Sequence, residues 1–368
     1  ALQPIVCISR GQQFGGIVGL SRILALRQPL APFHTQKMAW AALLSASATA
    51  AYLICFFGAG YSGPIWLQLL FSLALGPLIA LLFRIAHDAG HGSHFADARL
   101  DRLACRLSLL PSYHPHSVWI LLHNGRHHSF TNLRDNDYIW IPRCKQDYDR
   151  LSVVGRLRER LYRTTLGVGL YYLCAIWGGM ILLRPALVRK VKPVYVRDSL
   201  IAVGFFLTQL ALLALDGPQP GVFTTRVLLA IVLPFLIFNW LVGFASFLNH
   251  THPQVPWFSR REQWSFYEGQ VHCTVHMAVP AWMVFFLTDV GLHGAHHIDP
   301  RIPIWQLEPA ERQIVADAQE DIVFEPWTWA RHRKIMRCCK LYDYDAHRWL
   351  DFAGRPTGPV IEIGEARA

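Results

Sequence analysis

Charge is what this sequence has least of. Only 16% of its 368 residues are Asp, Glu, Lys or Arg, where a soluble globular chain carries about a quarter. With 52% hydrophobic residues and a mean hydropathy of +0.24, the chain is too apolar for a soluble domain of its length. It has no long Lys/Arg run interleaved with aromatics, so its formal net charge of +10 is no nucleic-acid footprint. On a membrane protein such an excess marks the cytoplasmic side. None of the eight cysteines forms a C-x-x-C pair, and several lie inside apolar stretches. Free buried thiols fit that pattern better than a disulfide framework. There is no internal repeat and no low-complexity segment. No small-residue cleavage site closes a short apolar core behind Arg10, Arg22, Arg27 and Lys37, so no signal peptide is expected.

What the sequence does have is long apolar runs. About 20 apolar residues cross a hydrocarbon core of about 30 Å. Four runs qualify: 39–59, 65–86, 200–215 and 227–248. The uncharged link 60–64 makes the first two a hairpin; the Gly/Pro-rich link 216–225 does the same for the last two. A fifth run, 166–183, is flanked by Arg156, Arg158, Arg160 and Arg163 on one side and Arg184, Arg189, Lys190, Lys192 and Arg197 on the other. A crossing there would put one basic cluster outside, against the positive-inside tendency. The run is therefore expected to be an interfacial or re-entrant helix. The expected fold is all-α and integral to the membrane: four transmembrane helices in two hairpins, under a cytoplasmic helical cap. Residues 1–38 form a cytoplasmic N-terminal segment, 39–310 the catalytic domain and 311–368 a polar cytoplasmic tail.

Histidines gather at the ends of these runs. His87 and His91 lie at i and i+4, as do His123 and His127, with His128 adjacent. His293, His296 and His297 complete a third cluster. Helical spacing puts i and i+4 on one face, so each cluster is expected to present its imidazoles to one point. Eight such ligands exceed what one metal takes and suit two. Imidazole accepts Fe, Zn, Cu and Ni. Structural zinc usually brings Cys, and hydrolytic zinc needs about three ligands, so a redox-active di-iron pair fits best. His250, just past the fourth run, is a candidate ninth ligand, and Asn249 a candidate for ligation through water. His94, His114, His116, His272 and His276 are expected to stand behind the ligands or at interfaces. Asp88, Asp135, Asp137 and Asp289 are candidates to orient ligand rings. A histidine relay in a transporter would place these residues near mid-membrane; here they sit at span ends.

The motifs resemble the three histidine boxes of the membrane fatty acid desaturase superfamily, here HxxxH, HxxxHH and HxxHH. His87-Asp88-Ala89-Gly90-His91-Gly92-Ser93 is similar to the family's first box. His123 to Asn132, followed by Asp135-Asn136 and Trp140, resembles the second box of bacterial acyl-lipid desaturases. Asn249-His250-Thr251 with Pro253, Gln270-Val271-His272-Cys273, Pro280-Ala281-Trp282 and His293 to Pro303 continue the match. The resemblance covers residues 80–310. It implies a mushroom-like helical fold, two Fe ions held by the eight box histidines with His250, O2 as co-substrate and a fatty acyl substrate. No HPGG haem motif occurs, which implies an external electron donor such as ferredoxin with its reductase. Ala89 replaces the usual Cys, His94 an apolar residue, and Gly294-Ala295 larger residues. The bacterial inner membrane is the expected location, with the site on the cytoplasmic side.

The expected reaction is desaturation of the acyl chain. The same boxes allow hydroxylation, or decarboxylation of a free fatty acid to a terminal alkene. Trp119, Trp240 and Phe244 are candidates to line the acyl tunnel, and Arg126, Arg260 and Arg261 to hold a carboxylate or head group.

Overall fold

The computed structural model describes residues 15–184, 190–280, 283, 291–318 and 321–363. It is mostly helical. After α1 (Gly15–Arg27), two long helices follow, α2 (Met38–Tyr61) and α3 (Ile65–His91). Shorter helices α4 (Ala98–Leu109) and α5 (His116–Leu122) lead into the second histidine box. α6 (Val153–Tyr162) and α7 (Gly167–Ile181) form a pair bent by 119°. The remaining long helices are α8 (Pro193–Leu213) and α9 (Pro220–His250).

α2, α3, α8 and α9 are the four helices long and apolar enough to cross a membrane among the described residues. They divide into inner and outer pairs. Half of the most apolar window of α3 and of α9 is buried inside the protein, against 22% for α2 and α8. α3 packs between α2 and α9. The outer helices turn Trp40, Leu43, Ile54, Leu200 and Leu207 outward, where a hydrocarbon solvent would cover them. The 119° bend keeps α6 and α7 from forming one straight crossing; the pair has the shape of either a broken span or a re-entrant loop.

Four helix ends differ from the apolar runs; α9 begins at Pro220, inside the expected Gly/Pro-rich link, and the other three have local reasons. α3 continues one turn past residue 86, so His87 and His91 are helical; Gly92, with φ 73°, ends it in the left-handed conformation that favours glycine. α8 begins at Pro193, seven residues before its apolar run. Arg197 and Asp198 are therefore inside the helix, and Asp198 accepts a hydrogen bond from Ser117 N. α9 extends to His250, which carries that ring to the same level as the boxes.

α7 crosses α9 at backbone contact. A Cβ on Gly243 would lie 2.4 Å from Val168 O, and one on Gly169 would lie 2.7 Å from Trp240 Cα. Only glycine permits that approach.

The described chain is not purely helical. β1 (Val275–Ala278) pairs in parallel with β2 (Val323–Pro326), and β3 (Leu341–Asp343) pairs antiparallel with β4 (Arg348–Leu350). Between them lie α10 (His293–Ile298), α11 (Ile304–Asp317) and α12 (Trp329–Cys338). The segment beyond residue 311 is polar in composition but packs inward. Val323, Ile335, Met336, Cys339, Tyr342 and Trp349 join the principal hydrophobic cluster together with Phe244 and Phe247. Burial of each such large side chain contributes about 1.5–3 kcal/mol. At the other end of the chain, Ile23 and Leu30 pack with Ala295 and Ile298. Arg27 donates to Ile298 O, and His34 meets Asp299 at 2.8 Å. The described cysteines form no disulfide with one another.

Candidate metal centre

The nine expected histidines converge, in two groups. His87, His91, His123, His128 and His296 form one; His127, His250, His293 and His297 form the other. Within each group the potential ligand atoms all lie within 4.8 Å of one another. The boxes do not map one-to-one onto the groups. The second box is wound as a π-turn, His123–His127, in which His128 N bonds His123 O. The wider turn brings His123 and His128 to the same point, five residues apart. His127 is turned away to the other group. Equal spacing at i and i+4 therefore does not place His123 and His127 together, contrary to expectation. The third box also divides, with His296 in the first group and His293 and His297 in the second.

Donor chemistry and spacing fit a cation at each group. Nε2 atoms of His250 and His293 lie 3.0 Å apart, as do those of His297 and His293. The His123–His128 and His128–His296 pairs are 3.1 and 3.2 Å apart. Ligands at about 2.1 Å from a metal and at right angles around it stand about 3 Å from each other. Burial holds the rings of His123, His128, His293, His296 and His297 well below the usual histidine range, and neighbouring imidazoles push the same way. These rings are neutral at pH 7, the form that binds metal.

Outer hydrogen bonds fix several tautomers. His127 Nδ1 donates to Asp137 at 3.0 Å, His250 Nδ1 to Cys273 O at 3.1 Å, and His297 Nδ1 to Gln270 Oε1 at 3.0 Å. Each leaves the Nε2 lone pair facing inward. Gln270 also donates to His128 O at 2.8 Å, so it ties the second box to the third. His87 has a weaker contact, 3.3 Å to Asp88. Asp88 instead pairs with buried Arg84 at 3.0 Å and accepts from Ile304 N.

Of the four candidate orienting carboxylates, Asp137 therefore takes the role fully and Asp88 in part. Asp135 supplies a backbone carbonyl to Arg126, and Asp289 lies outside the described residues. His94, His114, His116, His272 and His276 join neither group; they meet Ser45, Tyr172, Asp198, Glu268 and Glu311 respectively. The ring-orienting role of Gln270 and the presence of Glu268 and Glu311 were not foreseen from the sequence. Spacing offers no signal for partners 27 or 35 residues away.

A cavity of about 90 Å³ opens beside both groups. Phe83, Trp119, Ile139, Leu241, Val242 and Ala245 give it an apolar wall; His87, His123, His127, His250 and His293 form its other side. Asn249 also lines it, with a buried Oδ1 that has no hydrogen-bond partner among the described residues. Trp119 lines this cavity as expected; Trp240 and Phe244 stack on each other elsewhere. Arg126 holds backbone carbonyls, Arg261 lies over the Trp264 ring, and Arg260 sits near Asp345.

Fold and site together define a helical membrane-type protein with two all-histidine groups that could each hold a metal ion, next to an apolar cavity. The fatty acid desaturase family model matches residues 64–328, and the chain belongs to that family of oxidoreductases. It is 27% identical over 294 residues to an sn-1 oleoyl-lipid 12-desaturase of a Picosynechococcus strain, covering 79% of each chain. It is 26% identical over 277 residues to the chloroplastic omega-6 fatty acid desaturase of Glycine max, covering 73% of this chain and 61% of that one. The chain thus spans about three-fifths of the length of the soybean protein.

Proposed function

We propose that this protein desaturates a fatty acyl chain within a membrane, using O2 and two iron ions. The observation that carries this reading is one cavity wall shared by both histidine groups and a row of apolar side chains. Its support from relatives is that the similar proteins are named as oleoyl-lipid and omega-6 fatty acid desaturases. The five-histidine group would hold one iron and the four-histidine group, including His250, the other. When bound there, iron supplies the redox chemistry that reduces dioxygen and removes hydrogen from an unactivated methylene.

The chain's own residues bind, orient and exclude water. Phe83, Trp119, Ile139, Leu241, Val242 and Ala245 grip the methylenes. Neighbouring methylenes are chemically almost alike, so only the shape of that wall selects one. Asp137, Gln270 and the Cys273 carbonyl hold rings in the ligating tautomer. Each double bond consumes one O2, two electrons and two protons, and yields two waters. The electrons come from an external donor of the ferredoxin type with its reductase. In this reading the four crossings form two hairpins. The histidine-bearing segments cap them on the cytoplasmic side of a bacterial inner membrane, within a catalytic domain of about residues 39–310.

One observation favours a second outcome. Arg84, buried in its ion pair with Asp88, lines the same cavity. A cation there would draw a free carboxylate close to the histidines and expose the β-carbon to attack. Loss of one hydrogen at that carbon, of a second electron and of the carboxyl proton, with release of carbon dioxide, gives a terminal alkene; like desaturation, it would consume one O2, two donor electrons and two protons and yield two waters. Purified protein in lipid, given a defined fatty acid or acyl lipid with reduced ferredoxin, distinguishes these by mass spectrometry. An internal double bond supports desaturation; an alkene one carbon shorter supports the second outcome. Stoichiometric zinc with no O2-dependent product sinks both.

A further inference from the structure

We propose that Glu311 and His276 are positioning residues for the third histidine box. The inference rests on the metal-centre reading and adds residues that the boxes do not contain. α10 (His293–Ile298) has six residues, too few to be stable as a helix alone. Yet it supplies three rings, one to the first group and two to the second. Its attitude must be set from outside, and any rotation of it displaces both groups together.

The far end of α10 is held by Arg27, which donates to Ile298 O, and by Asp299 with its partners His34 and Arg301. The near end is held by a strut. Glu311, on α11 (Ile304–Asp317), accepts from Ala295 N at 2.9 Å through one oxygen. Its other oxygen lies 2.6 Å from His276 Nδ1. The carboxylate only accepts, so Nδ1–H donates and the tautomer is fixed. His276 belongs to β1 (Val275–Ala278), which is anchored to β2 through the pair His276↔Phe324. The strut thus joins a strand, a helix and the ligand-bearing turn.

Gly294 closes the arrangement. A Cβ at that position would lie 2.2–2.5 Å from His276 Cε1, Nε2 and Nδ1. The imidazole occupies the space that a side chain would take. His276 and Glu311 are both buried, 0% and 7% exposed, and neither lines the acyl cavity. The small residue in the third box is therefore matched by a ring 18 positions earlier in the chain.

The test uses full-length protein in lipid, loaded with 57Fe, with four variants. Glu311→Ala is expected to lower kcat about 10–100-fold with KM within about twofold, and to alter the Mössbauer spectrum. Glu311→Gln keeps an acceptor for Ala295 N and is expected to recover most of that loss. Gly294→Ala is expected to lose iron and turnover. Gly294→Ala combined with His276→Ala, which vacates the clashing ring, is expected to regain at least about tenfold over Gly294→Ala alone. A Glu311→Ala protein with unchanged kcat and Mössbauer spectrum overturns the proposal. So does a double variant no better than Gly294→Ala, a comparison that decides the matter even where Glu311→Ala does not fold. Wild-type protein that binds no iron would instead overturn the metal-centre reading beneath it.

Discussion

The two histidine groups are built from the same residue type but held differently. In the four-membered group, three rings donate to a fixed acceptor behind them: His127 to Asp137, His250 to Cys273 O and His297 to Gln270. In the five-membered group, among the described residues, only His87 has such a contact, at 3.3 Å to an Asp88 already engaged with Arg84. His296 Nδ1 here, like His293 Nδ1 in the other group, is buried without a hydrogen-bond partner among the described residues. One group has more candidate ligands and the other has better-fixed ones. An outer acceptor orients the ring and raises its basicity. The four-membered group should therefore bind its ion more firmly, and the five-membered group should adapt more readily as oxygen and substrate arrive.

The largest effect expected is from removing a ring. His127→Ala and His296→Ala, one from each group, should each abolish turnover and cut bound iron to about half while the protein still inserts. Metal analysis with a turnover assay checks this; near-normal activity in both would refute the ligand assignment. Asp137→Asn comes next. It keeps the shape but removes the charged acceptor, and should cost about 10–100-fold in activity or iron affinity, confined to the four-membered group. Gln270→Leu should cost about tenfold and touch both groups, because Gln270 bonds His297 and the His128 carbonyl. The smallest effect is kinetic. A chelator should strip iron in two phases, the faster from the five-membered group. Following 57Fe loss by Mössbauer spectroscopy tests it, and a single phase in wild type would erase the distinction drawn here. In Asp137→Asn the two phases should merge.

Much of this was legible in the chain because the signals are local. Apolar runs gave the four long helices to within a turn or so, save where polar residues lie inside a helix. Asp198 lies before the expected run, yet it is helical, buried and accepts from Ser117 N. The histidines announce themselves by spacing, and all nine converge. Their allotment to two groups did not show, because it depends on the π-turn at His123–His127, which i and i+4 counting cannot reveal. Glu311 was silent, and while His276 was expected behind the ligands or at an interface and Gln270 lies in a matched segment, the partners of both were not legible. Each acts on a partner distant in sequence, and nothing in their neighbours' periodicity marks them. The segment beyond residue 311 reads as polar because its outward face is charged: Arg331, Arg333, Lys334 and Arg337 are exposed on α12. His332, Ile335 and Met336 on the inner face are too few to register as an apolar run, and they are buried.

The glycine crossing of α7 and α9 has a consequence for how such a protein could diversify. Val168 and Gly169 meet Trp240 and Gly243 at the distance of bare backbone. On α9, Leu241 and Val242 lie between Trp240 and Gly243, and Ala245 two positions beyond them; on α7, Tyr172 is three positions past Gly169, and all four line the cavity. The bore of the cavity is thus gauged from behind its wall, by two hydrogen atoms that never touch its contents. A single methyl at either glycine would meet backbone at 2.4–2.7 Å and force the two helices apart, moving the cavity wall with no change in any residue that lines it.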